Sequence, residues 1–273
     1  MRSEQSTYPE APTRDTLSVA IITLNEEANL ARTLASVCFA DEIIVVDSGS
    51  TDRTVLIAQE AGARVFTESW HGFAVQKNLA IEKCSSTWVL SLDADEELSA
   101  ELQQEIRTLL QSNSRAEVYR LKRRNLFLGR WMRHGGFYPD AKLRLFRREP
   151  LRGEAAPRFA TRLVHETIAF DGACETLRHD LIHHAYPTLQ SYIEHMNRYS
   201  TLGAQIAVER NKTSQRGWAF LCNIVLVPVF TFLWNYICRG GFLDGREGFL
   251  LHTYHSLYTS WKYAKAWERT RQF

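Results

Sequence analysis

The sequence predicts an α/β fold on a mostly parallel sheet, followed by a helical C-terminal region that associates with a membrane. Two observations predict the sheet. Between residues 17 and 115, short apolar runs alternate with helical patterns. The apolar runs are solidly hydrophobic, as expected of parallel strands that helices cover on both faces. A third observation predicts the membrane region, because residues 218–238 carry no charged side chain and are long enough to span a bilayer.

The first half of the chain is predicted to contain four strands, each followed by a helix. Helical patterns end near Val37, at Gly62 and at Cys84, and Ser99 is a suitable N-cap for a helix over 100–110. Such an order predicts strands whose carboxyl ends meet at one edge of the sheet. The predicted strands are LSVAIIT (17–23), EIIVVD (42–47), ARVFT (63–67) and TWVLSLD (87–93).

Beyond residue 115 the alternation stops, and antiparallel or mixed additions to the sheet are expected. Residues 186–210 predict a helix that Pro187 opens. We therefore expect a loose lead-in at 1–16, an α/β domain at 17–185 and a helical, membrane-associating region at 186–273. The α/β domain is expected to divide into halves at 17–115 and 116–185. The strand-like segments of the second half are 116–124, 141–147, 162–169 and 177–183.

Composition excludes several classes of protein. With 273 residues, of which 45% are hydrophobic, the chain can bury a sizeable core. A net charge of +2 gives no argument for nucleic acid. The five cysteines are odd in number and contain no CxxC pair, which predicts reduced cytoplasmic thiols. The first residues lack the apolar stretch of a secretory signal, so we expect no such signal there.

Basic residues concentrate between residues 120 and 152. Such a run is typical of a solvated face, or of a surface that meets the phosphates of a substrate or of lipid head groups. Both interpretations stay open at this stage.

The uncharged segment 218–238 is interpreted as lying in the membrane plane or re-entering it, rather than spanning it. Pro228 weakens the spanning interpretation, and basic residues at both ends leave the orientation open. The tail 249–267 mixes aromatic residues with lysines, as interfacial helices do. A buried core helix or an oligomer contact is the alternative.

Three polar clusters follow the predicted strands: TLNEE (23–27), DSGSTD (47–52) and DADEE (93–97). If the strands are parallel, these clusters are neighbours at the edge where ligands bind. The chain has no GxGxxG or Walker lysine motif, which excludes the usual dinucleotide site and P-loop.

Carboxylates that converge at one sheet edge repel one another, and a divalent cation relieves this repulsion. Asp93 and Asp95 therefore predict a Mg²⁺ or Mn²⁺ site that binds a diphosphate, and Asp47 can accept hydrogen bonds from a nucleoside. A turn or a helix cap is the alternative for each. Glu96 and Glu97 are expected to be solvated or to stabilise the start of the next helix.

The motifs resemble those of the inverting glycosyltransferases of family 2, whose fold is called GT-A. LSVAIITLNEEANLARTLASV, ADEIIVVDSGSTDRT, QKN and LSLDADE are similar to the nucleotide-sugar half of that Rossmann-like fold. GRWMRHGGFYPDAKLRLFRR, RLVHETI, LIHHAYPTLQSYIEHMNRYS and GGFLDGREGF resemble the WaaE/KdtX type, which glycosylates the inner core of lipopolysaccharide. The resemblance covers roughly residues 17–268.

This resemblance implies roles for individual residues. Glu166, in VHE, would be the catalytic base, with a surface carboxylate as the alternative. Asp93 and Asp95 would hold the metal ion, with His183 as a third ligand or a diphosphate contact. The implied donor-binding residues are Thr23, Asn25, Glu27, Asp47, Lys77 and Asp93.

Two further sets of side chains leave alternatives open. His179, His183 and His184 could form a zinc site or be ordinary strand histidines. A sugar platform or simple packing are the alternatives for Trp70, Trp131 and Tyr138.

The implied reaction is the transfer of a hexose, glucose from UDP-glucose, to the lipopolysaccharide inner core at the cytoplasmic face of the inner membrane. Glu166 would take the proton of the acceptor hydroxyl, while the metal stabilises the leaving diphosphate. Attack opposite the leaving group inverts an α-linked donor to a β-glycoside. The expected partners are a UDP-sugar, a glycolipid acceptor and a membrane surface, with no nucleic acid.

Three alternatives compete with this reaction. One is transfer to another lipid-linked, capsule or glycoprotein glycan. A nucleotidyltransferase would need a glycine-rich triphosphate loop, which TLNEEANL lacks. A membrane-surface adaptor on a degenerate transferase fold is disfavoured by the intact Asp95 and Glu166.

Overall fold

The computed structural model describes residues 15–112, 116–149, 156–160, 167–170 and 174–271. Within these ranges a nine-stranded sheet has the order β3-β2-β1-β4-β8-β6-β11-β5, with β7 paired to β6, and β9 and β10 form a separate hairpin. The strands are β1 Leu17–Thr23, β2 Glu42–Asp47, β3 Arg64–Thr67, β4 Trp88–Asp93, β5 Glu96–Leu98, β6 Val118–Phe127, β7 Arg130–Trp131, β8 Asp140–Arg147, β9 Arg158–Ala160, β10 Thr167–Ala169 and β11 Cys174–Tyr186.

Helices cover both faces of the sheet and form the C-terminal region. Two long helices at the end of the chain are named the apolar helix and the C-terminal helix. The helices are α1 Leu30–Ser36, α2 Thr54–Glu60, α3 Phe73–Glu82, α4 Ala100–Leu110, α5 Leu189–Glu209, the apolar helix Gly217–Cys238 and the C-terminal helix Gly245–Arg269.

The first four long strands are parallel, in the order β3-β2-β1-β4. Their alternate side chains enter two separate cores. Leu17, Val19 and Ile21 join one core with helices α1 and α4, whereas Ala20 and Ile22 join the other with α3. Burial on both faces explains why these strands are apolar throughout. The predicted α/β fold is confirmed.

The second half of the sheet is mixed, as predicted. Strand β8 lies between β4 and β6 and is antiparallel to both. Strand β11 runs parallel to β6 and antiparallel to β5. Because β8 pairs directly with β4, the two predicted halves of the domain share one continuous sheet.

Strand β5 was not predicted from the sequence. Its three residues follow Asp93 after a turn of two residues, and Leu98 pairs with Leu181 of β11. The pairing is long-range, so local propensity gives no sign of it. Helix α4 begins only after β5, where the Ser99 side chain accepts a hydrogen bond from the Leu102 N–H, as predicted.

The predicted lead-in is shorter than residues 1–16. The Asp15 carboxylate lies 2.7 Å from Arg147 Nη2 and accepts a hydrogen bond from Trp88 Nε1. Thr16 exchanges backbone and side-chain hydrogen bonds with Thr87. These two residues therefore belong to the sheet domain.

The C-terminal helix packs against α5, and both contact the sheet domain. Tyr192 and Met196 of α5 meet Leu251 of the C-terminal helix and Phe127 of β6 in one buried cluster. Thr188, one residue after Pro187, is the N-cap of α5.

The apolar helix lies outside these cores. Among the described residues it is the helix that is long and apolar enough to cross a membrane, by length and composition. Its α-helical turns alternate with two π-helical turns, at Cys222–Leu226 and Trp234–Cys238. Most of its large apolar side chains are exposed, including Phe230 at 64%.

We predict that Ser99→Ala lowers the free energy of unfolding by about 1 kcal/mol, because an N–H group in the first turn of α4 loses its acceptor. Urea denaturation measures this change. Ser112→Ala is the matched control, since the Ser112 hydroxyl lies beyond the other end of α4 and donates to the Leu109 carbonyl. An equal loss in both variants would contradict the capping role.

Candidate active site

Three strand ends of the parallel half meet at one edge of the sheet. Thr23, the last residue of β1, pairs in register with Asp47 at the end of β2. On the other side of β1, Ile22 pairs with Asp93, the last residue of β4. The backbone therefore confirms that the polar clusters after these strands are neighbours. Side chains from all three strand ends can reach a ligand beyond this edge.

Asp93 lies between two cations. Its Oδ1 is 2.8 Å from Lys77 Nζ on α3, and its Oδ2 accepts a hydrogen bond of 2.6 Å from Arg144 Nη2 on β8. Burial acts to raise the pKa of the Asp93 carboxyl, but the charges of Arg144 and Lys77 outweigh it and hold this pKa well below its usual range. Asp93 is therefore ionised, and its charge is balanced within the protein.

The Glu96 side chain is buried next to Asp93. It is 0% exposed, and its Oε1 lies 2.5 Å from Arg144 Nη2 and 3.3 Å from Arg123 Nη1. Its Oε2 accepts a hydrogen bond from the Asp93 N–H at 3.0 Å. The expectation that Glu96 is solvated or assists the next helix is wrong, because β5 turns this carboxylate inward between two arginines.

The ion-pair network continues from Arg123 to Asp140. Arg123 Nη2 lies 2.5 Å from Asp140 Oδ2, and Lys142 Nζ lies 3.0 Å from Asp140 Oδ1. Burial acts to raise the pKa of Asp140, but the Arg123 and Lys142 charges lower it to about 2. Asn125 Nδ2 also approaches Asp140 Oδ2, at 3.4 Å.

Asn125 links this network to His183. Its Nδ2 donates to the Phe137 carbonyl, and its Oδ1 lies 2.7 Å from His183 Nδ1. The amide oxygen can only accept, so Nδ1 of His183 carries the proton. In the neutral ring this leaves the lone pair of Nε2 facing Asp95, whose Oδ2 is 3.4 Å away.

The pair of Asp95 and His183 fits a divalent cation. A carboxylate oxygen and an imidazole nitrogen that face each other are matched by a shared cation. Burial acts to raise the pKa of Asp95, whereas His183, when its Nε2 also carries a proton, lowers it below its usual value. A metal cation would take the place of that proton. Over the described ranges, no cluster of three or more His, Cys, Asp or Glu side chains could hold a metal. A cation here would therefore take its other ligands from a bound substrate and water.

The loops after β1 and β2 are locked together. Asn25 Oδ1 accepts a hydrogen bond from the Thr51 N–H, and the Asn25 N–H donates to Ser50 Oγ, both at 2.8 Å. Glu27 Oε2 accepts from the Arg53 N–H at 3.1 Å. Asn25 and Glu27 thus shape the loop pair, and their contact with a donor stays a prediction.

Asp47 organises the second loop. Its buried carboxylate accepts hydrogen bonds from the N–H groups of Gly49 and Ser50, both at 2.9 Å. The alternative that Asp47 caps α2 is wrong, because Asp52 accepts the hydrogen bond from the Thr54 N–H there. Asp47 therefore fixes the backbone of the DSG turn beside Thr23.

Thr23 carries a buried hydroxyl oxygen, and the described part of the chain offers it no hydrogen-bond partner. The residue is 5% exposed and lies at the strand end between Asp47 and Asp93. An unpartnered buried hydroxyl is costly, so a ligand or water partner is expected. This agrees with the predicted donor-binding role of Thr23.

Glu26, next to Glu27 in the first loop, has a carboxyl whose pKa its surroundings raise, and sequence reasoning did not single it out. Burial raises the pKa of its carboxyl, the hydrogen bond from Asn29 lowers it, and the charges of Asp95, Asp52 and Asp93 raise it further. The sequence does not separate Glu26 from Glu27, because adjacent glutamates in a loop carry no periodicity that distinguishes them. A carboxyl with a raised pKa beside two aspartates is typical of functional sites.

The three histidines of β11 do not form a zinc site. Each lies beside a different carboxylate. His183 and His184 are successive residues of the strand and face opposite sides of the sheet, and His179 lies four residues, or about 13 Å, before His183. The pairs are His179–Glu105, His183–Asp95 and His184–Glu97.

The predicted aromatic platform consists of separate ring pairs. Trp131 and Tyr138 meet edge to face at 5.1 Å, and the Arg124 guanidinium lies 4.2 Å from the Trp131 ring centre. Trp70 contacts Phe73 at 4.7 Å. Sugar binding by these rings stays a prediction.

Much of the basic run serves the fold. Four of its arginines whose side chains are no more than 33% exposed form ion pairs with carboxylates, so the phosphate-binding interpretation does not apply to them. The pairs are Arg123 with Glu96 and Asp140, Arg124 with Asp180, Arg144 with Asp93 and Glu96, and Arg147 with Asp15.

The predicted base Glu166 lies outside the described residues, as does its neighbour His165. Strand β9 precedes these two residues in the sequence and β10 follows them, and β9 is bound to α3. Asn78 exchanges two hydrogen bonds with the backbone of Phe159, at 3.0 and 2.9 Å. Lys77 Nζ also lies 5.2 Å from the Phe159 ring centre. The role of Glu166 stays a prediction.

Comparison with known proteins identifies the family. The sequence model described as "Glycosyl transferase family 2" matches residues 18–168. The chain is 32% identical over 259 residues to the lipopolysaccharide core biosynthesis glycosyltransferase LpsC of Rhizobium meliloti (strain 1021), covering 93% of this chain and 92% of LpsC. It is also 32% identical over 252 residues to an uncharacterized glycosyltransferase of Rickettsia typhi, covering 86% and 80% of the two chains.

Among solved structures, the fold is similar to that of the mannosyltransferase PcManGT from Pyrobaculum calidifontis. The TM-score is 0.57 at 16% identity, over 95% of this chain and 89% of that one. This likeness shows the fold. With the family match, it establishes that the chain belongs to glycosyltransferase family 2 and resembles the lipopolysaccharide core transferases. The protein is a transferase enzyme.

We predict that Arg144→Met destabilises the protein by about 3–5 kcal/mol, because Asp93 and Glu96 lose a shared, buried counter-charge. Chemical denaturation measures the loss. Arg64→Met is the matched control, since Arg64 also lies on a strand but pairs with Glu42 at the surface, where about 1 kcal/mol or less is expected. Equal losses in the two variants would contradict the central role of Arg144.

Proposed function

We propose that this glycosyltransferase moves glucose from UDP-glucose to the inner core of lipopolysaccharide, with inversion to a β-glycoside. One observation carries the choice of acceptor, namely the likeness to LpsC along nearly the whole of both chains. The cluster of carboxylates and cations at the strand ends supports the choice of a sugar nucleotide as donor, because its diphosphate and ribose offer groups that match both charges.

We propose that Asp95 and His183 hold Mg²⁺ or Mn²⁺. PcManGT, which shares the fold, was solved with GDP-Man and Mn²⁺. When bound, the cation would offset the charge that develops on the leaving diphosphate. Asn125 fixes the tautomer of His183 that leaves Nε2 free for such a ligand.

Asp93 is assigned a narrower role than the sequence implied. Both of its carboxylate oxygens already lie within 2.8 Å of cationic groups, on Lys77 and Arg144. This positive charge at both oxygens disfavours a further cation on Asp93. We therefore assign Asp93 to positioning the strand end and to contact with the ribose, and we leave the metal to Asp95 and His183.

The remaining donor contacts are assigned to the two loops at the edge of the sheet. The Thr23 hydroxyl lacks a partner in the described structure and is available to the nucleotide. The Asp47 carboxylate fixes the backbone of the DSG turn. Lys77 places a positive charge next to Asp93. Asn25 and Glu27 keep the first loop in register with the second.

Glu166 is proposed as the general base that accepts the proton of the attacking acceptor hydroxyl. It immediately precedes β10, and β9 of the same hairpin is bound to α3 beside Lys77. The hydroxyl attacks the anomeric carbon opposite the diphosphate, and this geometry inverts the configuration without a covalent enzyme intermediate.

The C-terminal region is proposed to bring the enzyme to the cytoplasmic face of the inner membrane, where a glycolipid acceptor is present. The exposed apolar helix supports this location. Residues 186–273 would then form the membrane-associating region, and residues 17–185 the catalytic domain.

A donor panel tests the proposal. Purified protein is incubated with truncated lipopolysaccharide, Mn²⁺ or Mg²⁺ and each of several UDP- and GDP-sugars, and the products are read by mass spectrometry. The expected result is the mass of one added hexose, from UDP-glucose in preference to the other donors. Transfer from no UDP-sugar would contradict the proposed donor class, and transfer to a different glycan only would contradict the proposed acceptor.

We predict that Asp95→Ala and Glu166→Gln each reduce the rate of transfer by at least about a hundredfold, but for different reasons. Asp95→Ala removes a metal ligand and should abolish metal-dependent UDP binding in calorimetry. Glu166→Gln removes only the base and should leave that binding unchanged.

Glu149→Gln is the control for both variants, because Glu149 is an 80% exposed glutamate in the same half of the domain. It should transfer sugar at the wild-type rate. Full activity in either site variant would refute the role assigned to that residue.

A further inference from the structure

We propose that the apolar helix lies flat in one leaflet of a lipid bilayer with anionic head groups, and does not span the membrane. This inference rests on the membrane association included in the proposed function and specifies its geometry. The partner is the lipid surface itself, which the helix enters along its whole length.

The exposed apolar surface is concentrated on this part of the molecule. Of the twenty large hydrophobic side chains that are exposed in the described structure, fifteen lie between Trp218 and Leu257. Most of the fifteen lie on the apolar helix. Phe242 and Leu243 follow that helix in the sequence, and Phe249 lies on the C-terminal helix. A contiguous apolar surface of this kind marks a site of interaction with a membrane or a protein.

The apolar helix is bound along its length to the C-terminal helix, which runs antiparallel to it. At one end Phe220 meets Trp267, with ring centres 5.3 Å apart. At the other end Tyr236 meets Phe249, at 5.7 Å. The apolar helix therefore cannot enter a membrane without its neighbour unless these contacts break.

A third contact between the helices lies between these two ring pairs. Ser260 Oγ donates a hydrogen bond of 3.0 Å to the Ile224 carbonyl. The π-helical turn at Cys222–Leu226 contains this carbonyl, so the irregular backbone there gains a partner from the C-terminal helix.

Polar groups on the C-terminal helix argue against a spanning orientation. If the apolar helix crossed the bilayer, Lys262 and Lys265 would lie at the same depth as its first half. Lys265 Nζ is bound to Ser200 Oγ and Thr201 Oγ1 of α5, at 2.7 and 2.8 Å, so α5 would be drawn in as well. Charged side chains in the hydrocarbon core are costly. An in-plane helix keeps these groups on the water side.

The charges at the border of the apolar surface match an anionic membrane. Exposed basic side chains stand at both ends of the apolar helix, where a flat helix places all of them at the level of the head groups. They are Arg210, Lys212, Arg216, Arg239 and Arg246.

The absence of charged side chains along the apolar helix favours lipid over a second copy of the chain as its partner. Residues 217–238 contain no charged side chain, and Trp218 and Trp234 are 71% and 50% exposed. Interfacial amphipathic helices combine such tryptophans with basic residues at the border and enter the membrane by about 5–10 Å.

Depth measurements by spin labelling test the geometry. Cys38, Cys174, Cys222 and Cys238 are replaced by serine, and Cys84 stays because it is buried. Nitroxide labels are then placed singly by Leu221→Cys, Phe230→Cys and Ile237→Cys, all at exposed positions. The protein is bound to vesicles of phosphatidylethanolamine and phosphatidylglycerol, and accessibility to oxygen and to a nickel chelate gives the depth of each label.

The expected result is one shallow depth for all three labels. A label at Phe230→Cys near the bilayer midplane, with the other two close to opposite surfaces, would show a spanning helix and overturn the proposal. Labels that stay fully accessible to the nickel chelate in the presence of vesicles would overturn it too.

Vesicle co-sedimentation tests the lipid contact with matched variants. Phe230→Asp is expected to weaken binding by about tenfold or more, because an apolar contact is lost and a charge repels the head groups. Leu56→Asp is the control, since Leu56 is 45% exposed on α2, away from the apolar surface. Binding is also expected to be weaker with phosphatidylcholine alone.

Two controls separate this proposal from its rivals. Sedimentation velocity without lipid should show the same mass for wild type and Phe230→Asp. A wild-type dimer that Phe230→Asp dissociates, with unchanged vesicle binding, would identify a second copy as the partner and overturn the proposal. Uniform shallow labels on an enzyme that transfers no sugar would refute the proposed function and leave the membrane geometry standing.

Discussion

The hydrogen bonds from Arg144 to Asp93 and Glu96 are the interactions on which the candidate site depends. Asp93, Asp95, Glu96 and Glu97 follow one another at the end of a buried strand, and like charges at this spacing repel. The counter-charge comes from β8, which pairs with β4. The acids belong to the first half of the domain and the arginine to the second, so the site exists only when both halves have joined. The divalent cation expected from the sequence is therefore only part of the charge balance.

Different neighbours give two similar aspartates different chemistry. Asp93 is enclosed by Lys77 and Arg144, which keeps it ionised and fixed in place. Asp95, two residues later, faces His183, whose orientation depends on Asn125. One carboxylate is committed to the protein and the other is available to a cation. The helices that carry the surface we assign to lipid pack on β6 through Phe127.

The first half of the fold was predictable because its signals are local. The strands β1, β2, β3 and β4 are solid apolar runs, and the Ser99 cap is a property of four consecutive residues. The positions of Thr23, Asp47 and Asp93 at one edge follow from those strands. Strand β5 and the burial of Glu96 were missed because they depend on β11 and on Arg144, which lie 48 residues or more away in sequence. An arginine between two leucines, in LRLF, is the one sequence signal of a buried cation that could have been used. Nothing in the sequence distinguishes Glu26 from Glu27.

The central claim is that Arg144 and Lys77 retain Asp93 while Asp95 and His183 bind the cation. Anomalous diffraction from a crystal of the enzyme with UDP and Mn²⁺ tests it most directly. We predict one manganese peak within about 2.0–2.3 Å of an Asp95 oxygen and of His183 Nε2, with the Lys77–Asp93–Arg144 contacts unchanged. A manganese ion bound by Asp93 after release from Arg144, or bound away from Asp95, would contradict the account.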